Sequence, residues 1–219
     1  MAAVAHGYAA IVLAGGGGRR LGGPAKPTLE VAGVSMLARV LDAVADAAIR
    51  VVVGPAELEG LLPDGVVLTR EEPPGGGPVA ALWAGLSALD GEPAQARPEA
   101  GGLVAVLAAD LPLLTRGAVG LLLRAVSAPA AGGERDGAVF VDGDGRQQFL
   151  CGAWAVPALR TRLGHLAPHA GLSLRQAFAP MRVAEVVAPP GTPPPWYDCD
   201  TAEELAEARR LWGEVHGDA

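Results

Sequence analysis

Cysteine is scarce: only Cys151 and Cys199 occur, far apart and without the close spacing of zinc ligands. That excludes a disulfide framework and a closed zinc cage, so both are read as small buried hydrophobes. No apolar run reaches the roughly 20 residues of a membrane-spanning helix, because Gly, Pro or a charge interrupts each one. The first eight residues carry neither a positive cluster ahead of an apolar stretch nor an Arg-rich amphipathic pattern, so no targeting segment is predicted. Positive charge is short as well: 17 Lys and Arg stand against 24 Asp and Glu, a net charge of −7 with a pI near 5.1. Nucleic-acid binding on a large footprint needs clustered cations to displace counterions, and this balance argues against it. Aromatic residues are few, and the tryptophans at 83, 154, 196 and 212 are too scattered for a base-stacking surface, so packing is their expected role. His6, His165, His169 and His216 show no metal-ligand spacing and no paired nucleophile. These deficits predict a soluble, cytoplasmic protein without nucleic-acid or membrane partners, either a monomer or a small homo-oligomer.

What remains is enough for one α/β domain: 219 residues, half of them hydrophobic. Tyr8-Ala-Ala-Ile-Val-Leu-Ala14 is a continuous apolar run ending in glycines, the pattern of a strand buried on both faces of a parallel sheet. Residues 50–54 and 103–109 repeat it, with weaker versions at 66–69, 137–141 and 183–187. Between them, Met36, Leu37, Val40, Leu41 and Val44 recur at helical spacing, as do Val79, Leu82, Leu86 and Leu89. Further helices are predicted at 115–128 and 201–212, the latter opened by Thr201-Ala-Glu-Glu204, a capping-box pattern. The alternation predicts a three-layer α/β/α sandwich on a mostly parallel, Rossmann-like sheet. Residues 90–102 and 188–195 read as surface loops and 129–136 as a link, dividing a single domain into residues 1–128 and about 137–219.

The sharpest chemical signal is Leu13-Ala-Gly-Gly-Gly-Gly-Arg-Arg-Leu-Gly-Gly-Pro-Ala-Lys26. Glycines let backbone N–H groups approach an anion, and Arg20 and Lys26 supply charge to phosphate oxygens. Dinucleotide and P-loop registers both fail: Arg20 or Leu21 stands where the third glycine belongs, and Lys26 lies between Ala25 and Pro27. In Leu107-Ala-Ala-Asp-Leu-Pro-Leu113, Asp110 follows the most apolar strand, where open α/β sheets bind ligands and where a carboxylate can hold Mg²⁺ against phosphates. An Asp there can also cap the next helix, although a helix beginning near Thr115 leaves Asp110 too early. Near the end, Asp198 and Asp200 flank Cys199. On a strand only one of them can aim at a site; Asp200 is preferred, with a share in capping the last helix as its rival role.

At these residues the chain resembles the molybdenum cofactor guanylyltransferases and their relatives in the wider nucleotidyltransferase superfamily. Their opening signature is Leu-Ala-Gly-Gly, a spaced Arg, a hydrophobic residue, Gly-Gly and then Lys. The resemblance implies that Leu13, Ala14, Gly15, Gly16, Arg20 and Lys26 hold the nucleotide. The family often has Asp before the lysine, where Ala25 stands here. Gly77-Pro78 is similar to the family's Gly-Pro-Leu-Ala-Gly element, although Pro in a helix's first turn is also a structural preference. The acidic nucleotide contact ahead of it falls on Glu71 in preference to Glu72, and Gly54, ending the second buried strand, joins the nucleotide-binding candidates. Asp110 matches the family's metal-binding Asp-x-Pro, and Asp200 is taken as the second metal ligand. Gln148 and Arg175 lie in the acceptor region, where exposed polar positions would look the same. The implied reaction is Mg²⁺-dependent transfer of GMP from GTP to a phosphorylated molybdopterin, with Lys26, Arg20 and Asp110 catalytic. CTP-dependent transfer to the same pterin, transfer to another small phosphorylated acceptor, and nucleotide binding without catalysis are the alternatives.

Overall fold

Strand β1 (Ala9–Leu13) is buried at every position, and its alternation divides it between two cores. Ala10 and Val12 join one, while Ala9, Ile11 and Leu13 join the other. The computed structural model describes residues 7–15, 26–92, 102–130 and 133–216. Within them the chain continues through β2 (Glu30–Val31), β3 (Val34–Ser35), α1 (Met36–Ala43), β4 (Ile49–Val53), β5 (Val66–Thr69) and α2 (Pro78–Ala88). It then forms β6 (Leu103–Ala108), α3 (Arg116–Ser127), β7 (Gly137–Val141), β8 (Gln147–Ala155), α4 (Val156–Gly164), α5 (Leu174–Phe178), β9 (Val183–Val186) and α6 (Ala202–His216).

The central sheet has the order β5-β4-β1-β6-β8-β7-β9, and β2-β3 is a separate hairpin. β5, β4, β1 and β6 are parallel, and β7 and β9 are parallel to each other. β8 alone runs against its neighbours β6 and β7. The expected mostly parallel sheet is present; β8, nine residues that open on Gln147 and Gln148, is a strand that the apolar runs do not predict. Leu13 of β1 pairs with Ala108 of β6, which aligns the carboxyl ends of these two strands. From β1 the chain winds outward to β4 and β5 and then returns across β1 to β6. This reversal opens the crevice in which open α/β sheets bind ligands.

Helices cover both faces, as the alternation predicts. The apolar stripes of α1 and α3, including Leu37, Val40, Val119 and Leu122, pack on one side of the sheet. α2, α4 and α5 pack on the other through Leu82, Leu86, Leu159 and Phe178. Gly85 lets α2 lie against β1: a Cβ there would stand 2.6 Å from the Ile11 side chain. The amino-terminal end of the same helix, at Pro78 and Ala81, lines the cavity at the β1–β6 crevice. A third, smaller core of Val31, Met36, Cys199, Leu205 and Ala208 joins the hairpin, α1 and α6. Among the described residues no helix is long and apolar enough to cross a membrane.

Candidate active site

A cavity of about 560 Å³ opens at the carboxyl ends of β1 and β6. Leu13 and Gly15 enter from the end of β1, Ala108, Asp110 and Leu111 from the end of β6, and Glu71, Gly75, Gly77 and Pro78 from the turn into α2. Gln148 to Cys151 of β8, Leu174 of α5, and Trp196 and Asp198 form the opposite wall. β8 reaches it through an irregularity: Val139 pairs with Gly152 but Phe140 pairs with Gln148, leaving residues 149–151 without partners on β7.

Lys26 is the charged centre. It begins a short 3₁₀ turn, Lys26–Thr28, and its ammonium donates to the carboxylates of both Asp110 and Asp200. Burial works against its charge, but the hydrogen bonds and attraction of the two carboxylates prevail and raise its pKa. Asp110 sits in the turn after β6. The cap of α3 is Thr115, whose hydroxyl accepts from the Ala118 N–H at 3.2 Å, so Asp110 is not that cap.

The segment carrying Asp198 and Asp200 is not a strand, and the expectation that only one of them aims at the site fails for that reason. Asp198 lines the cavity while Asp200 reaches Lys26. Capping of α6 falls instead to Thr201 and Glu204: the Thr201 hydroxyl accepts from the Glu204 N–H, and the Glu204 carboxylate accepts from the N–H groups of Thr201 and Asp200. The Asp200 carboxylate is not part of that cap and accepts from the ammonium. Burial and the nearby Asp110 carboxylate raise the Asp198 pKa above its ordinary value, Asp200 adding to the effect and Lys26 opposing it. A carboxyl raised on folding binds more protons in the native state, so its contribution is favourable in acid and is lost as pH rises through the folded pKa. Asp198→Asn is therefore expected to raise the melting temperature at pH 7 and to lose that advantage near pH 3. Thermal melts at both pH values would refute this if the variant were no more stable at neutrality.

The other candidates separate cleanly. Glu71 is buried on the cavity and accepts from the Gly75 N–H at 3.0 Å, whereas Glu72 is exposed and faces a different depression beside Arg70 and Trp83. Gly77 stands at φ 90°, ψ −178°, a conformation open to glycine, and Pro78 follows as the first residue of α2. Gly77→Ala is expected to cost about 1–3 kcal/mol through backbone strain and to weaken ligand binding at the adjoining turn. Unfolding at an unchanged denaturant midpoint would contradict that. Ala14 and Gly54 do not line the cavity; the Ala14 N–H donates to Val53, and Gly54 is packed against Ala14 and Leu58. Gln148 lines it and donates to Asp142 at 3.0 Å. Arg175 is exposed on α5 and is not part of the wall, to which the preceding residue, Leu174, belongs. Gly16 and Arg20 lie outside the described residues, as do residues 93–101 and 131–132 of the two predicted connecting segments.

Sequence reasoning preferred Asp200 to Asp198 and singled out none of Phe149, Leu150 and Trp196 for the site. Trp196 was read as packing, and it does pack on Phe140 with ring centroids 5.4 Å apart, but it also closes the cavity. No local pattern marked these residues, because a register change in β8 and an irregular segment bring them together. Cys151 and Cys199 are buried and free. Burial raises both thiols, with Cys199 pushed up to about 12, so neither is an available nucleophile.

The carboxylates fit an open divalent-cation site. Asp110 Oδ1 is buried and has no hydrogen-bond partner among the described residues, an unmet demand at the cavity wall. Among the described residues no three or more ligating side chains form a closed cage. Mg²⁺ does not need one, since it keeps water and phosphate oxygens and takes only one or two carboxylates. Asp110 with Asp200 or Asp198 supplies that number.

A switch-point cavity with a glycine-bearing strand end, a lysine held by carboxylates and an orphaned acidic oxygen defines a nucleotide-handling α/β protein. Residues 10–186 match the MobA-like NTP transferase domain, and the chain belongs to that family of nucleotidyltransferases. It is 34% identical over 207 residues to a molybdenum cofactor guanylyltransferase of Bradyrhizobium sp. (strain ORS 278), covering 92% of this chain and 91% of that protein. Two solved structures share the fold. Molybdopterin-guanine dinucleotide biosynthesis protein A of Archaeoglobus fulgidus superposes with a TM-score of 0.67 at 16% identity, covering 94% of this chain and 99% of its own. The 2-C-methyl-D-erythritol 4-phosphate cytidylyltransferase of Thermus thermophilus gives 0.66 at 21% identity, covering 94% and 98%.

Proposed function

We propose that this chain transfers GMP from GTP to a phosphorylated molybdopterin and releases pyrophosphate, in a Mg²⁺-dependent reaction. The carrying observation is that Lys26 joins Asp200 to Asp110, the carboxylate that lines the switch-point cavity. The name of the Bradyrhizobium relative, at 34% identity over nearly the whole chain, supports guanylyl transfer in particular.

In this reading an acceptor phosphate oxygen attacks the α-phosphorus of GTP in line. The bond from that phosphorus to the bridging oxygen breaks, and the leaving pyrophosphate keeps the electron pair. The acceptor is already an anion, so no protein nucleophile is required. Lys26 and Arg20 neutralise phosphate charge, the chain from Gly15 into the glycine run approaches the phosphates, and Glu71 with Gly77 and Pro78 forms the nucleoside end. Asp110, with Asp200, holds Mg²⁺, which when bound offsets the charge developing on the phosphates. Gln148 faces the acceptor. Walls drawn from residues 13–111 and 148–198 support the division into a nucleotide part (1–128) and an acceptor part (about 137–219) of one domain.

The likeness to a cytidylyltransferase keeps CTP as the second reading. Pyrophosphate release measured with GTP, CTP, ATP and UTP, Mg²⁺ and molybdopterin generated in situ tests both. Acceptor-dependent release from GTP is expected. Release from CTP alone would replace guanylyl by cytidylyl transfer, and nucleotide binding without release from any NTP would make the chain a non-catalytic binder.

A further inference from the structure

Lys26 and Asp200 stand 174 positions apart in sequence, and neither is mounted on the two main cores. Both belong to segments held by the small third core. On the lysine side, the Leu29 N–H donates to the Lys26 carbonyl at 3.2 Å, and the Leu29 side chain packs on that core. On the aspartate side, Cys199 is buried within it, next to Asp200. The Asp200 side of the site also lies beyond residue 186, where the family match ends.

Apolar contact alone fixes such a small unit poorly, because a handful of side chains can slide over one another. Two guanidinium groups supply direction. Arg39 of α1 donates to the Val31 carbonyl through both Nε, at 3.0 Å, and Nη2, and its guanidinium carbon lies 3.7 Å from the centre of the Trp212 ring of α6. Arg209 of α6 donates twice to the preceding carbonyl, that of Glu30, at 3.1 and 2.9 Å. Consecutive carbonyls of β2 are thus gripped from two helices, and Arg39 ties the hairpin to the last helix, holding the carbonyl with its N–H edge and the Trp212 ring against its face. Arg39 is buried, and burial lowers its pKa. Among the described residues no carboxylate lies within salt-bridge distance of it. A buried cation with one carbonyl and one aromatic face is a costly filler compared with Leu or Met. What it adds is a planar fork of fixed geometry, which an apolar residue lacks.

We propose that Arg39 is a positioning residue: with Trp212 it clamps the hairpin to α6 and so sets Lys26 against Asp200. Its effect on nucleotide binding rests on the reading of the cavity as a nucleotide site; its effect on Lys26 does not.

Lys26 is the only lysine in the chain, so its reactivity can be followed alone. Acylation by acetic anhydride at neutral pH, located by peptide mass spectrometry, would be compared in wild type, Arg39→Met, Trp212→Leu and Trp212→Phe. Each is assayed well below its melting temperature with circular dichroism matched to wild type. Arg39→Met and Trp212→Leu are expected to raise Lys26 acylation at least fivefold, whereas Trp212→Phe, keeping an aromatic face, stays near wild type. In parallel, Arg39→Met should weaken Mg²⁺-GTP binding about tenfold, and that loss should vanish in a Lys26→Met background. Lower melting temperatures with Lys26 acylation at the wild-type rate would overturn the proposal and leave Arg39 a general stabiliser. If Arg39→Met does not fold, the Trp212 pair decides by the same criterion. Wild type that binds no nucleotide would refute the functional reading, and the acylation result would still judge Arg39.

Discussion

Asp110→Ala is expected to lower acceptor-dependent pyrophosphate release by about a thousandfold, the scale on which a single electrostatic contact to a developing charge acts. The expected stability change is small by comparison. Among the described residues Asp110 Oδ1 is a buried acceptor without a partner, so its removal relieves a desolvation cost, and Lys26 retains Asp200. The two effects oppose each other, which predicts a net change within about 1 kcal/mol. Initial rates and chemical denaturation on one preparation separate them. A variant that is much less stable but turns over normally would make Asp110 a structural residue and remove the proposed cation ligand.

Lys26→Met is expected to reduce the same rate by about 100–1,000-fold, since one of the two cations assigned to the phosphates is lost. It should also change the pH dependence of stability. Without the ammonium, Asp110 and Asp200 face each other, with Asp198 nearby already raised by burial and by Asp110. Like charges raise carboxyl pKa values in the folded state, so stability is highest in acid and falls as pH rises through those values. The variant should therefore lose more stability between pH 5 and pH 7.5 than wild type does, and millimolar Mg²⁺ should restore part of it. Melting curves at the two pH values, with and without Mg²⁺, check this. Parallel pH profiles without a cation response would show that the carboxylates do not share a site.

The parts of this structure that rest on local chemistry were legible. Residues 9–13 and 103–108 appear as buried strands because continuous apolar runs are stable only between two covering layers. The cap of the last helix was visible in Thr201 and Glu204, since a capping box lies within four consecutive residues. Asp110 could be placed because the end of the most apolar strand has a known position in an open sheet. The preference for Glu71 over Glu72 agrees with the side each one faces, although it came from resemblance and not from any residue pattern.

What failed depends on long-range geometry. Arg175 and Leu174 are neighbours on a short helix, and only the packing of α5 decides that Leu174 meets the cavity. Asp198 was set aside on the assumption of a strand, but residues 197–200 lie in an irregular segment where strict alternation does not apply. The Arg39 clamp was invisible for the same reason: the carbonyls it holds and the ring it touches come from separate parts of the chain.

The register change in β8 separates the residues that bind the sheet from those that touch the contents of the cavity. Residues 151–155 are paired with β6, and 147, 148 and 152–154 with β7, while Phe149 and Leu150 pair with neither. Side-chain size at these two positions can therefore change without breaking a ladder hydrogen bond. This stretch of the cavity wall is in this sense a replaceable panel set in a fixed frame, a low-cost place at which the shape of the cavity can diverge.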